Sequence, residues 1–289
     1  MGRICGVWTV KYKEKDSNEW KSLKCAKGYF YADPMLFTYR GEKYLFTEAF
    51  DMKLQIGRIA ISSYANGAFT EPKVIIKCPY HMSYPCVFEY KDKVYMIPET
   101  SQNGTLEIWK AKGNLYTWKR HGRLLNKVKY ADSTILLVGR EVYLFSYEDN
   151  GGKYITHIFE LNPDTLQVTE IENIVHDRND KRPAGNFVLQ PTGQIFRPVQ
   201  NNIRSYGESM LVNRVTSIKP FTESKVYEIC PESLGFDEPK TKTHTLAYDN
   251  DLVVVDINRQ TTVPFFYRMV YIRKIRNRMY KLLCKVGIK

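Results

Sequence analysis

Two aspartates in this chain of 289 residues share a local setting. Asp33 follows Ala32 in Tyr-Ala-Asp-Pro, and Asp132 follows Ala131 in Tyr-Ala-Asp-Ser-Thr. Each lies 11 residues before the tyrosine of an apolar run, Tyr44 and Tyr143; the same offset from Tyr95 gives Tyr84, and from Ile195 gives Ala184. Carboxyls brought together disfavour each other's ionisation, so at least one pKa rises. A carboxyl pair with separated pKa values is the apparatus of acid–base chemistry on glycosidic bonds. Glu99, at the end of Tyr-Met-Ile-Pro-Glu, is a third acid with the chemistry of a proton donor. We therefore take Asp33, Asp132 and Glu99 as candidate catalytic groups. His81, Tyr84, Arg182, Gln200, Tyr206 and His244 are the candidate substrate contacts. Each has a plainer role open to it. An Asp beside Pro or before Ser-Thr also makes turns, a lone His is often structural, and Arg182 either clamps a ligand carboxylate or phosphate or bridges two elements. The two histidines raise metal binding, but no third ligand is apparent, so neither metal nor cofactor is expected.

These residues need a scaffold, and the scaffold is a repeat. Taking Tyr44 as a ruler, equivalent apolar runs begin at Tyr95, Tyr143, Ile195 and Val253, in steps of 51, 48, 52 and 58 residues. Each unit reads as an apolar strand, a polar turn (Tyr39–Lys43 in the first), a second apolar strand, a loop and a third strand. A period near 50 with no long helix between strands points to small antiparallel sheets around an axis. The expected fold is all-β, a five-bladed β-propeller over residues 1–262, with innermost strands lining a channel toward which the Ala-Asp pairs project. Arg3–Tyr12 is expected to be the strand that completes the last blade, because the fifth unit is short of strands. Residues 171–180 are polar and read as a surface loop.

The remainder, residues 263–289, reads differently. Phe265, Met269, Ile272, Ile275, Met279, Leu282, Leu283 and Val286 follow a helical period, with basic residues between them. Eight of the chain's Lys and Arg lie at 265–289 with no acid among them, so most of the net charge of +12 belongs here. The expectation is a short basic amphipathic C-terminal helix on an anionic membrane surface; a docked structural helix is the other reading. It carries too many charges to span a bilayer. Nucleic acid is not expected as a partner, since no zinc finger or RNP motif accompanies the charge. Six cysteines without metal-type spacing, and no charged-apolar-small leader, give an expectation of reduced thiols in a cytoplasmic, peripherally membrane-associated protein.

The unit motifs YADP, HMSYPCVFE with YMIPET, ADST, RPAG with RPVQ and YGE, and His244-Thr245 resemble the five-bladed propeller domain at the N-terminus of glucosamine inositolphosphorylceramide transferases. The resemblance spans roughly residues 7–258. That family is in turn similar to the propellers of family 43 glycoside hydrolases, in which the aspartate of a first-blade YADP motif is the general base. The resemblance implies that Asp33 stands at the base position and Asp132 at that of a pKa-tuning aspartate. No motif for the hydrolases' general acid is present; Glu99 and Glu208 are the acids available for that role. The expected function is carbohydrate-active chemistry, glycosidase-like or in glycosyl transfer, serving glycan or cell-surface polysaccharide synthesis. The alternative is a non-catalytic glycan-binding or scaffold module. Expected partners are a carbohydrate or glycolipid ligand, a glycosyltransferase, and an anionic membrane through residues 265–289.

Overall fold

The computed structural model describes residues 3–263. Five antiparallel sheets follow one another along the chain. Blade one holds Tyr29–Tyr39, Glu42–Asp51, Ile56–Ala65 and the short outer strands Ala68–Phe69 and Lys73–Ile76. Blades two and three have four full strands each, Ser83–Tyr90 through Trp118–Asn126 and Ala131–Val138 through Gln167–His176. In blade four the innermost strand is broken into Arg182–Pro183 and Val188–Leu189, both paired with Ile195–Asn201. In blade five, Leu246–Tyr248 and Leu252–Val263 are joined by Arg3–Glu14 from the N-terminus.

The closure is extensive. Arg3–Glu14 and Leu252–Val263 pair in register over their whole lengths, from Arg3 opposite Val263 to Glu14 opposite Leu252. It ties the two ends of the chain into one blade, and the outer side of Arg3–Glu14 is covered only at Lys11 and Tyr12 by the short strand Lys21–Ser22. The hydrophobic core is divided, one cluster per blade junction. Val10, Leu45 and Val254 pack between blades five and one, Phe46, Met82 and Met96 between one and two, and Ile97, Ile108 and Leu144 between two and three. Phe145 with Phe221, and Met210 with Val255, fill the remaining two. Strands buried on both faces explain why the inner runs are continuously apolar.

Two expectations are corrected. Residues 171–176 are not a loop: Gln167–His176 is the outer strand of blade three, paired with Lys153–Asn162, and the loop is confined to 177–180. As an edge strand it touches the core lightly, so it carries polar residues on both faces and has no apolar period to read. The basic C-terminal helix is not part of the fold. The last described element is the strand Leu252–Val263, and no α-helix occurs among the described residues. Of the positions assigned to that tail, 263–289, Val263 ends this strand and 264–289 lie outside the described residues.

At the axis, three non-glycine residues adopt left-handed backbone: Asp33 at φ 51°, Tyr84 at 45° and Asp132 at 47°. Each sits in a β-bulge of an innermost strand, where register slips between Ala32 and Met35, Ser83 and Cys86, and Ala131 and Thr134. Such conformations cost about 1–3 kcal/mol apiece and persist where the surroundings compensate. In blade four the neighbouring position is Gly185 at φ 134°. A Cβ there would meet the Leu246 carbonyl oxygen at 1.9 Å. Gly185→Ala should therefore lower stability by about 3 kcal/mol or more. The check is denaturant unfolding: a lower midpoint with unchanged slope is expected, and an unchanged midpoint would count against this packing.

Candidate active site

The left-handed bulges aim their backbone N–H groups sideways, toward acids of neighbouring blades. Asp33 N donates to Asp256 Oδ2 at 3.1 Å, Tyr84 N to Asp33 Oδ2 at 3.1 Å, and Asp132 N to Glu99 Oε2 at 3.3 Å. Every bulge amide is thus bound by a carboxyl of the blade before it in the ring. Tyr84 continues the pattern with its side chain. Its hydroxyl accepts from Gly185 N at 2.7 Å and lies 2.9 Å from Thr134 Oγ1.

Two polar groups result. The first gathers Asp33, His244 and Asp256. His244 Nδ1 lies 2.7 Å from Asp256 Oδ2, and its Nε2 lies 3.3 Å from Asp33 Oδ1. Asp256 Oδ1 also accepts from the backbone N–H groups of His244 and Thr245, at 3.1 and 3.0 Å. Thr245 Oγ1 donates to Asp33 Oδ1 at 3.3 Å. All three charged residues are buried, with Asp256 at 0% exposure. Their ligand atoms lie within 4.8 Å of one another, so they are a set that could hold a metal ion. Asp256, however, is already engaged by backbone amides on both oxygens, which suits a hydrogen-bonded staple equally well.

The second group gathers Asp132, Arg182, Gln200 and Glu99. Arg182 Nε donates to Asp132 Oδ2 at 2.5 Å, and Gln200 Nε2 donates to the same oxygen at 2.6 Å. Arg182 Nη2 stands 3.6 Å from Glu99 Oε2. Gln200 is held by Asn202, whose Oδ1 in turn accepts from Gly207 N. Aromatic rings join the groups at the rim. Trp8 stacks on His244 at 4.0 Å between centroids, Tyr206 meets both edge-on, and the Arg182 guanidinium lies 5.5 Å from the Tyr206 ring centre.

Burial sets the acidities. It raises Asp33 to about 6, with His244 opposing and Asp132 and Asp256 adding to the rise. It raises Glu99 to about 7, with Asp132 adding and Arg182 opposing. Glu48 is pushed well up by burial and by the other acids. For His244, burial disfavours the cation, but Asp256 and Asp33 outweigh it and the pKa rises. His81 moves the other way, lowered by burial.

The candidates from sequence thus fall in three places. Asp33 and His244 share the first group, and Asp132, Glu99, Arg182 and Gln200 the second, with Tyr206 at the rim. Tyr84 and Gln200 are wholly buried, so they hold other site residues in position from behind. His81 belongs to neither group and adjoins the axial acids only through Glu48: its Nδ1 accepts from Gly57 N at 2.8 Å, and its Nε2 lies 3.3 Å from Glu48 Oε1. Glu208 pairs with exposed Arg204. Asp256, Thr245, Glu48 and Trp8 belong to the site and were absent from the candidates. Glu48 was within reach, because it lies four residues after Tyr44 as Glu99 does after Tyr95.

With this geometry in view, the comparisons become informative. Residues 20–248 match the family described as glucosamine inositolphosphorylceramide transferase 1, N-terminal. The chain belongs to that family. Glucosamine inositolphosphorylceramide transferase 1 of Arabidopsis thaliana is 26% identical over 268 residues, covering 83% of this chain and 34% of the relative. The Oryza sativa subsp. indica protein of the same name is 26% identical over 229 residues, covering 73% and 29%. The chain therefore spans about a third of the curated relatives it matches. Among solved structures, a thermostable family-43 glycoside hydrolase superposes with a TM-score of 0.60 at 13% identity, covering 84% of this chain and 92% of its own. Zg3597, a family 117 glycoside hydrolase produced by Zobellia galactanivorans, gives 0.59 at 10% identity, covering 91% and 94%. These likenesses establish a shared five-bladed fold.

The raised acids have a consequence for stability. A carboxyl whose folded pKa lies above its unfolded value binds its proton more tightly in the native state, so stability falls as pH rises between the two values. For Asp33 that window runs from the ordinary carboxylate range to about 6, and for Glu99 to about 7. His244 acts in the same direction, its contribution being lost as pH rises through its raised pKa. The unfolding free energy obtained from urea titrations should therefore fall from pH 5 to pH 8, by an amount on the order of a few kcal/mol. Glu99→Gln should flatten the slope. A profile that rises over this range would contradict the assignment.

Proposed function

We propose that the axial face is a glycan-binding site acting in glycan assembly, with Arg182 and Glu99 as its principal ligand contacts. The observation that carries this reading is the state of Arg182. Its guanidinium is held rigidly by Asp132 through Nε and braced against Tyr206, with Nη2 paired to Glu99 at 3.6 Å, too far for a hydrogen bond, so the Nη donors still have hydrogens to offer a ligand. Beside it, Glu99 is poised near neutrality, and an acid in that state donates or accepts a hydrogen bond to a sugar hydroxyl as needed. Trp8 and Tyr206 supply aromatic surface at the same rim. Polar groups converging beside aromatic faces are the general form of a small-molecule site. The curated relatives bear the name glucosamine inositolphosphorylceramide transferase 1. On that basis the ligand class we favour is a glycan carried on a lipid, with the sugar at the axis.

A second reading is supported by the spread of acidities. Asp33 and Glu99 titrate in the range in which acid–base catalysts work. In that reading Glu99 protonates a leaving glycosidic oxygen and Asp33 acts as base. Asp33 is less suited to this than its motif suggests: Tyr84 N, Thr245 Oγ1 and His244 already surround its two oxygens. Binding without hydrolysis accounts for that engagement directly.

A glycan array probed with the full chain should give discrete hits. Arg182→Ala should weaken binding to those glycans by about tenfold or more, the loss expected for a charge-assisted contact of roughly 1.5–3 kcal/mol. An array without hits, or equal affinity in Arg182→Ala, would contradict the site. Release of free sugar from a hit glycan, abolished by Glu99→Gln, would favour the catalytic reading over simple binding.

A further inference from the structure

One side chain per blade occupies the same place on the strand next to the innermost one. Glu48, Glu99, Tyr147 and Gln200 lie opposite Ala32, Ser83, Ala131 and Arg182, and Asp256 donates its backbone N–H to the Thr245 carbonyl. Four of these five heads are engaged: Asp256 accepts from Asp33 N, Glu99 accepts from Asp132 N, the Tyr147 hydroxyl donates to Asn179 Oδ1, and Gln200 donates to Asp132 Oδ2 and the Pro183 carbonyl. By its position Glu48 would take the next bulge amide, Tyr84 N. That amide goes instead to Asp33 Oδ2. Glu48 is left over: its Oε1 is buried without a hydrogen-bond partner, and its nearest polar neighbour is His81 Nε2 at 3.3 Å.

The fold makes room for this carboxyl and backs it on one side. Residue 57 is glycine, and a Cβ there would meet Glu48 Oε1 and the Met82 carbonyl oxygen, each at 2.4 Å. His81 closes the same side. Because its Nδ1 accepts from Gly57 N, the neutral ring carries its proton on Nε2, facing Glu48 Oε1. The other groups that act on Glu48 are the axial acids Asp33, Glu99, Asp132 and Asp256, which add to burial in pushing its pKa well up. The two axial cations are already committed, Arg182 to Asp132 and Glu99, and His244 to Asp33 and Asp256. Glu48 is 7% exposed. An unpartnered acid at that depth costs stability, and a ligand that supplies the missing hydrogen bond at the axis accounts for its being there.

We propose that Glu48 is a further ligand contact of the axial site, its carboxyl taking a sugar hydroxyl on the blade-one side. The site then reaches from Arg182 of blade four and Glu99 of blade two into blade one. A sugar ring presents its hydroxyls at fixed angles, so a second carboxyl one blade away from Glu99 selects among glycans by the hydroxyl that meets it, and disfavours those that lack it. This proposal rests on the glycan reading of the axial site and adds the residue that discriminates within it.

The test makes Glu48→Met and Glu48→Gln in the full chain and measures, for each, the affinity for the glycans that bind on the array and the unfolding midpoint in urea. Glu48→Met fills a similar volume without the carboxyl. It should weaken binding by about threefold to tenfold, the loss of one hydrogen bond. Its unfolding midpoint should hold or rise, because a buried unpartnered acid has been replaced by an apolar side chain. Glu48→Gln keeps a neutral hydrogen-bonding head and should stay within about twofold of the unmodified chain. In a series of single-deoxy analogues of one bound glycan, one analogue should bind the unmodified chain and Glu48→Met equally, and it names the hydroxyl concerned. Weaker binding by Glu48→Met together with a lowered midpoint marks a structural role and overturns the proposal. Glycans that lose affinity in Arg182→Ala and keep it in Glu48→Met overturn this proposal alone, whereas an array without hits overturns it together with the glycan reading.

Discussion

The structure depends on a backbone constraint at the axis. Asp33, Tyr84 and Asp132 sit in left-handed bulges that their side chains do not favour, and each bulge N–H is captured by a carboxyl of an adjacent blade. The exchange works in both directions. The bulge turns an N–H toward the neighbour, and the neighbour's acid becomes a buried acceptor that holds the bulge. Because the acids must lie close to the axis to do this, they crowd one another, and their acidities rise together. What staples the blades therefore also creates the reactive environment. Structure and site chemistry share the same atoms.

This sharing explains how the site departs from a hydrolytic arrangement. A catalytic base needs an oxygen facing water or substrate, and the Asp33 oxygens face Tyr84, Thr245 and His244. A catalytic acid needs access, and of the axial carboxyls Glu99 combines partial exposure with a pKa raised to about 7. In blade four, Arg182 enters the axial group and pairs with Asp132. A cation there stabilises a bound anion or hydroxyl array, and it holds Asp132 in place as an acceptor. The proposed recognition role asks for no further rearrangement of these groups.

Much of this was legible in the sequence because a propeller repeats its geometry. The offset linking Asp33, Tyr84 and Asp132 to their apolar runs marks the same bulge in three blades, so position along the repeat translated into position in space. The closing strand was legible for a related reason: the fifth unit lacked strands and the N-terminus had one to spare. Where the repeat is irregular, the reading failed. The innermost strand of blade four is broken around Gly185, and that of blade five is cut to Leu246–Tyr248, so Asp256 acts from a second strand and lies off the ruler. Trp8 was not among the candidates, because nothing local says that closure brings it onto His244. The edge strand Gln167–His176 is polar on both faces and was mistaken for a loop.

The most direct test of the axial site is carboxyl and guanidinium NMR of the full chain while a glycan ligand is added. The account predicts that the Glu99 carboxyl, the Arg182 Nη groups and the Trp8 indole respond together, saturating with one affinity. Perturbations confined to residues remote from the axis, such as the Asp249–Asp251 turn, with Glu99 and Arg182 unmoved, would contradict it.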